Sequence, residues 1–323
     1  MIKYIRIQIL NIILLNCYLY IYIGMESVEG CECALHVEPI DNCICMSHET
    51  LNSIKKGLNV NLHSNIDSLE KIKTKLDLIS SPESKILEHP IIHKIIGPDI
   101  ANKELVENFK PIGPWDEVPL NNFEVDSVLD QWKLKWDNYI NLHFNMIDFA
   151  NHNGSMTIPI SDLIEKKITK FQQKWEDTPI NLCTVSSTNP KYISCVLNSG
   201  KYGSGGKHWT AIFINIAGLE WTLEFFNSSG NPPYPEVEAW WGKNKVQLEK
   251  YIEKNNLPNK VKCVKVSDIM HQRASTTCGP YSLYYIWSRL NGVDYLQFKH
   301  TEITDDIVQN FTRTHLYRDK KNQ

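Results

Sequence analysis

The sequence predicts an α+β protein with a mostly helical N-terminal arm, and three observations carry that prediction. Apolar residues recur at helical spacing between Asn52 and Ile79. Two apolar runs, Trp209–Ile216 and Glu220–Phe226, are joined by a short turn containing Gly218, the pattern of an antiparallel hairpin. A further apolar run of helical length, Cys278–Leu290, ends at Asn291-Gly292, a C-terminal stop signal. The chain has 323 residues, 42 % of them hydrophobic and 22 % charged. That composition is ordinary for a globular protein, with room for two domains at roughly 150 residues each. The net charge of -3 supplies no basic field, so no nucleic-acid partner is expected.

The elements follow in chain order. Lys3 and Arg6 give a basic start, and Ile7 to Gly24 is almost wholly apolar apart from Gln8, Asn11 and Asn16. Two readings of residues 1–24 stand side by side. One is a membrane anchor or a signal-peptide core over 7–23, slightly shorter than the roughly 20 residues that span a bilayer. The other is upstream sequence ahead of a true start at Met25. Residues 25–110 form the arm. Ile54, Leu58, Ile66, Leu69, Ile72 and Leu76 predict a helix over Asn52–Ile79, stopped by Ser80-Ser81-Pro82, and short helices are expected over Leu87–Ile96 and Ala101–Phe109.

Cys31-Glu32-Cys33 and Cys43-Ile44-Cys45 lie near His36 and His48. CxC is not the usual zinc-finger spacing, so reduced thiols are expected over a metal site. The nine cysteines are odd in number and unevenly spread, which favours a reducing compartment over a disulfide framework. No metal or other cofactor is assigned.

Gly113-Pro114-Trp115 marks a boundary, and 111–323 is the core. Asn121 or Asn122 caps a helix whose apolar face is Phe123, Val125, Val128, Leu129 and Trp132. Thr157–Ile160 is expected as a strand and Asp162–Trp175 as a helix. Cys195–Asn198 is extended. After the hairpin, Val246–Asn255 is an amphipathic helix stopped at Pro258, and Val261–Val266 alternates as a strand.

The chemistry gathers in this second half. A polar run, His271 to Thr277, ends at Cys278, where an apolar helix begins. Unpaired backbone N–H groups and the positive end of the helix dipole favour a thiolate there, the nucleophilic form of cysteine. His208 opens the first hairpin strand after the flexible Tyr202–Lys207 loop. That loop is not a phosphate loop, since Lys207 is followed by His208. Asn227 ends the partner strand, so the hairpin places it beside His208, where its amide oxygen can hold Nδ1–H and fix the tautomer. Gln272 lies six positions before Cys278. Its amide and the Cys278 backbone N–H can serve as oxyanion donors, each worth about 3–4 kcal/mol in the transition state. Each residue alone has a plainer explanation; together they form an ordered set.

His208-Trp209, Asn227, Gln272 and Cys278-Gly279, in that order, resemble the adenovirus-protease and SUMO-protease clan of cysteine peptidases. Phe225-Phe226-Asn227-Ser228-Ser229-Gly230 is most similar to the large-DNA-virus branch, the African swine fever virus polyprotein protease-like group. The Leu120–Gln131 segment also resembles a helix start near the clan's active site, and the resemblance covers about 113–315. It implies a SUMO-protease-like core, a central mixed sheet flanked by helices. It implies Cys278, His208 and Asn227 as catalytic residues, Gln272 at the oxyanion and Trp209 as a wall of the cleft. Asn227 in place of the acid found in cellular members weakens support for an imidazolium.

The function so implied is a viral cysteine endopeptidase that cleaves structural polyprotein precursors after Gly-Gly during virion maturation, on polypeptides carrying Gly-Gly-Xaa sites. Two alternatives stand beside it: a hydrolase of SUMO- or ubiquitin-like host conjugates, and a non-enzymatic, membrane-tethered interaction protein with a relic peptidase fold. Asn227-Ser228-Ser229, Asn153-Gly154-Ser155 and Asn310-Phe311-Thr312 are glycosylation sequons, and a glycan on Asn227 is incompatible with its role. The expected location is therefore the host cytoplasm and the virion, membrane-anchored only if 7–23 is a true anchor.

Overall fold

The computed structural model describes every residue except 1–30, 41–42, 64, 115–117, 168–169, 176–177, 185–188 and 320–323, and within 170–184 it describes the backbone course. The apolar segment 7–23 therefore lies outside the described residues. Among the described residues no helix is long and apolar enough to cross a membrane.

The chain forms two compact units. One is Glu117–Gln309; the other is Ser27–Asp116 together with Asn310–Gln323. In the second unit the helices are α1 (His48–Leu62), α2 (Leu69–Lys75), α3 (Ser84–Glu88), α4 (Pro90–Ile96) and α5 (Pro98–Asn108). Ile54, Leu58, Ile72, Ile86, Leu87, Ile92 and Phe109 form its core. The single helix expected over Asn52–Ile79 is broken in two. His63 adopts the left-handed conformation at the end of α1, and Ser68 caps α2 by accepting from the Lys71 N–H. Asn59 closes the break, its amide bonding both backbone groups of Ile66 at 2.6 and 3.0 Å. Apolar periodicity runs through such a break unchanged, so the pattern alone does not reveal it.

The second unit also takes in the chain's end, which a boundary drawn at residue 111 leaves with the core. Strand β1 (Ile112–Gly113) pairs in parallel with the late strand Arg318–Asp319. Lys110 Nζ donates to the Thr314 carbonyl at 3.0 Å, and the Tyr317 ring lies where a side chain on Gly113 would be. Four cysteines meet in this unit as two pairs, Cys31–Cys43 and Cys33–Cys45, with Cα atoms 5.7 and 4.9 Å apart. This corrects the expectation of four separate thiols. An odd total of nine hides a local set of four, which an antiparallel bridge from Ile40 to Ile44 folds together.

The first unit is built on a mixed sheet of order β2-β5-β6-β7-β8. Its strands are β2 (Tyr139–Met146), β5 (Tyr192–Asn198), β6 (Trp209–Asn215), β7 (Glu220–Phe226) and β8 (Lys260–Val266). The outer pairs β2/β5 and β7/β8 are parallel, and the inner pairs β5/β6 and β6/β7 are antiparallel. The central strands are buried on both faces, which is why they read as continuous apolar runs. Ile212, Ile214, Leu223 and Phe225 pack against Val237, Trp240 and Leu248 of a helix spanning Pro235–Lys254. The helix Cys278–Leu290 lies against β6 and β5, with the Phe226 and Tyr285 rings stacked 4.5 Å apart. The helix Asn122–Lys135 packs on β2, its start fixed by a capping box between Asn121 and Glu124. Val125, Val128, Leu129 and Trp132 face inward as expected, but Phe123 is 67 % exposed.

Two expectations in the middle of this unit fail. Ser155–Thr157 is a 3-10 turn and Ile160–Ile164 a short helix, where a strand was expected. The helix expected over Asp162–Trp175 is replaced by an antiparallel hairpin, β3 (Lys170–Trp175) with β4 (Thr178–Thr184). Lys166, in the left-handed region, ends the short helix after barely more than a turn.

Candidate active site

Cys278 is the first residue of its helix and only 5 % exposed. Pro280 sits in the first turn, where a missing N–H costs nothing. The backbone N–H groups of Cys278, Gly279 and Trp209 support the sulfur, yet burial outweighs them and pushes the thiol above its ordinary range. The helix terminus therefore does not by itself make a resting thiolate, as its dipole suggests. A base has to take the proton.

His208 precedes β6 and is half-buried. Its Nε2 lies 2.8 Å from Asn227 Oδ1. Asn227, fully buried at the end of β7, has its amide orientation fixed on both sides. Oδ1 also accepts from the Ser229 N–H and hydroxyl, and Nδ2 donates to the Asn231 carbonyl at 3.3 Å. With the oxygen so turned, His208 must donate through Nε2–H. Nδ1 is left as the basic nitrogen, the reverse of the tautomer expected from the sequence. Trp209, the next residue, lines the same cavity as Cys278, so the His208 segment and the cysteine border one cleft.

Gln272 is brought to the same place by Ser228. The Ser228 carbonyl accepts from the backbone N–H groups of His271 and Gln272 at 2.9 and 3.0 Å, and its hydroxyl donates to Gln272 Oε1 at 2.8 Å. Gln272 Nε2 donates one N–H to the Ala274 carbonyl, and an amide nitrogen carries a second. His271 is set apart from the chemistry. It is fully buried, with Nε2 3.0 Å from the Phe298 carbonyl and Nδ1 accepting from the Ile303 N–H.

The loop into Cys278 is held by a residue the sequence does not single out. The Asp305 carboxylate accepts from the backbone N–H groups of Arg273 and Ala274, both at 3.0 Å, and from the Thr277 hydroxyl at 2.8 Å. Asn198 does the same for the glycine loop before His208, with Oδ1 accepting from the Gly200 and Lys207 N–H groups. The Asp305 partners lie 28 to 32 positions away, which leaves it no local signal, whereas those of Asn198 lie only two and nine positions ahead.

A cavity of about 870 Å³ opens onto Cys278, walled by Leu120, Phe123, Phe144, Met146 and Trp209. The Trp209 indole donates to the Leu120 carbonyl at 2.9 Å, and its ring meets Phe144 edge-on. Leu120 presses on Gly279 so closely that a side chain there would start 3.1 Å from three of its carbons. That contact is the physical reason for glycine after the cysteine, and the exposed Phe123 lines the same cavity.

The fold and this arrangement of thiol, imidazole and amide define a cysteine protease, with a central mixed sheet flanked by helices. The chain is 34 % identical over 293 residues to a cysteine protease of African swine fever virus from a Malawi tick isolate, covering 89 % of this chain and 95 % of that protein. The counterpart from a Kenyan pig isolate, called a SUMO-1 cysteine protease, is 33 % identical over 293 residues. The crystal structure of the African swine fever virus pS273R protease matches at a TM-score of 0.70 and 31 % identity, covering 91 % of this chain and 98 % of the other. No family model matches the chain. The chain belongs to the pS273R family of viral cysteine proteases.

Proposed function

We propose that this protease cleaves viral structural polyprotein precursors after Gly-Gly during virion maturation, with Cys278 as nucleophile. The observation that carries the mechanism is the His208–Asn227 contact at 2.8 Å, with Trp209, the residue after His208, lining the same cavity as Cys278. His208 Nδ1 takes the thiol proton as Sγ attacks the scissile carbonyl carbon. The oxyanion is met by the Cys278 N–H and an amide N–H of Gln272. The intermediate collapses, the leaving amine takes the proton from His208, and water then hydrolyses the thioester. Asn227 keeps Nε2–H engaged throughout, so Nδ1 stays the nitrogen that exchanges protons.

The Gly-Gly preference is supported by Leu120 and Trp209. Tied together and bordering the sulfur, they favour a chain without side chains next to the scissile bond. The same reading has the enzyme work in the host cytoplasm and in the virion.

The test uses Gly-Gly-Xaa peptides and a capsid polyprotein. Cys278→Ala and His208→Ala are each expected to abolish cleavage, and retained cleavage by either refutes the mechanism. SUMO- and ubiquitin-fusion substrates run in parallel separate the second reading, which the Kenyan relative's designation as a SUMO-1 cysteine protease favours. Faster cleavage of a fusion than of the polyprotein decides for it.

A further inference from the structure

The catalytic machinery leaves Cys31, Cys33, Cys43 and Cys45 unused, and their sulfur atoms all lie within 4.8 Å of one another. We propose that these four cysteines form a structural site for one zinc ion, which fixes the first segment of the arm.

The geometry suits a closed tetrahedron. With Zn–S bonds of about 2.3 Å, sulfurs in a four-sulfur site stand about 3.8 Å apart. Cys33 and Cys43, which belong to different disulfide pairs, have sulfurs 3.9 Å apart. All four ligands are soft, and no water position is left open, which marks a structural site for zinc over a hard cation such as magnesium or calcium.

The backbone holds both CxC segments independently of any sulfur–sulfur bond. Ser84 donates through its N–H and hydroxyl to the carboxylate of Glu32, between the first two cysteines, at 3.0 and 2.9 Å. The carboxylate of the adjacent Glu83 accepts from the Cys45 and Met46 N–H groups. One dipeptide thus anchors both halves of the site. Cys43 itself is held at φ 78°, a left-handed conformation unfavourable for a residue with a Cβ, and this aims its sulfur into the cluster.

The redox argument points the same way. In the host cytoplasm proposed above for this enzyme, thiols stay reduced, and there the two cross-links, each spanning 12 residues, open to four thiols. Four thiols at this spacing, three buried and Cys43 half-buried, bind Zn²⁺ with release of four protons. The cation then balances charges that would otherwise repel at close range.

The test uses the full chain, produced in a reducing cytoplasm with zinc supplied and purified under a thiol reductant. One zinc per chain by plasma mass spectrometry is expected, with four cysteines shielded from iodoacetamide until a chelator is added. The double variant Cys33→Ser/Cys45→Ser should lose the zinc, and Cys278→Ala should keep it. If the double variant does not fold, the alkylation pattern of the unaltered chain decides. A chain free of zinc and four hydrogens lighter by intact mass overturns the proposal in favour of resident disulfides. Stoichiometric iron in place of zinc, or zinc retained by the serine variant, overturns it equally.

Discussion

Replacing Glu224 with alanine tests how the nucleophile's helix is held on the sheet. Glu224 is fully buried on β7, three residues before Asn227, and Arg289 is 7 % exposed near the far end of the Cys278 helix. The guanidinium meets the carboxylate with two bonds, Nε to Oε2 and the terminal nitrogen to Oε1, both 2.8 Å. Tyr285 and Thr222 hydroxyls fill the remaining acceptor positions at 2.6 and 2.5 Å. Glu224→Ala leaves the guanidinium buried without its anion, a loss of about 3–5 kcal/mol. For a unit of this size that lowers the melting temperature by roughly 6–20 °C. Differential scanning calorimetry and urea titration measure it. Glu224→Leu combined with Arg289→Met, which replaces the pair by apolar groups, should recover most of the loss. A Glu224→Ala midpoint within about 2 °C of the parent, or a double variant no better than the single, refutes the argument that charge burial sets the cost.

Three further outcomes follow from the site. Asp305→Ala removes three bonds from the loop before Cys278 and should lower kcat on the order of 10- to 100-fold with KM little changed; an unchanged kcat shows that the loop holds its shape without the carboxylate. Gly279→Ala forces Leu120 to move by a few tenths of an ångström and should reduce kcat/KM, with partial recovery in combination with Leu120→Ala; full activity in the single variant refutes the close contact. Burial holds the pKa of His271 below its ordinary value of 6.5, so the unfolded chain takes up this proton first as pH falls. Stability is fully present above pH 6.5 and falls below it, by up to about 1.4 kcal/mol per pH unit. Urea unfolding at pH 7.5 and 5.5 should show a smaller drop for His271→Asn, and equal drops refute the assignment.

What the sequence makes legible depends on where a residue's partners lie. Cys278–Leu290 reads correctly because an unbroken apolar run flanked by polar loop and Asn-Gly has one interpretation. The β6–β7 hairpin is likewise local, and it is what puts His208 beside Asn227. Strand β2 is not legible. Asn141, His143 and Asn145 look solvent-facing in sequence, yet all three are buried, with His143 Nδ1 3.2 Å from the buried carboxylate of Asp126. In the site, side-chain identity reveals the thiol, imidazole and amides. It does not reveal Asp305 or Ser228, which act on groups 28 to 44 positions away. The imidazole tautomer was also out of reach, since it is set by the Asn231 carbonyl that orients the Asn227 amide.

The Ser228 carbonyl, shared by His271 and Gln272, has a consequence for how this chain can vary over generations. It ties the exits of two parallel neighbours, β7 and β8, so a residue gained or lost in 227–230 or 267–277 displaces the Asn227 and Gln272 amides relative to each other. The opposite end of the hairpin, at exposed Ala217 and Gly218, carries no such tie to the site. Length changes among members of the family should collect at that far turn, while the short exits near the thiol keep a fixed residue count.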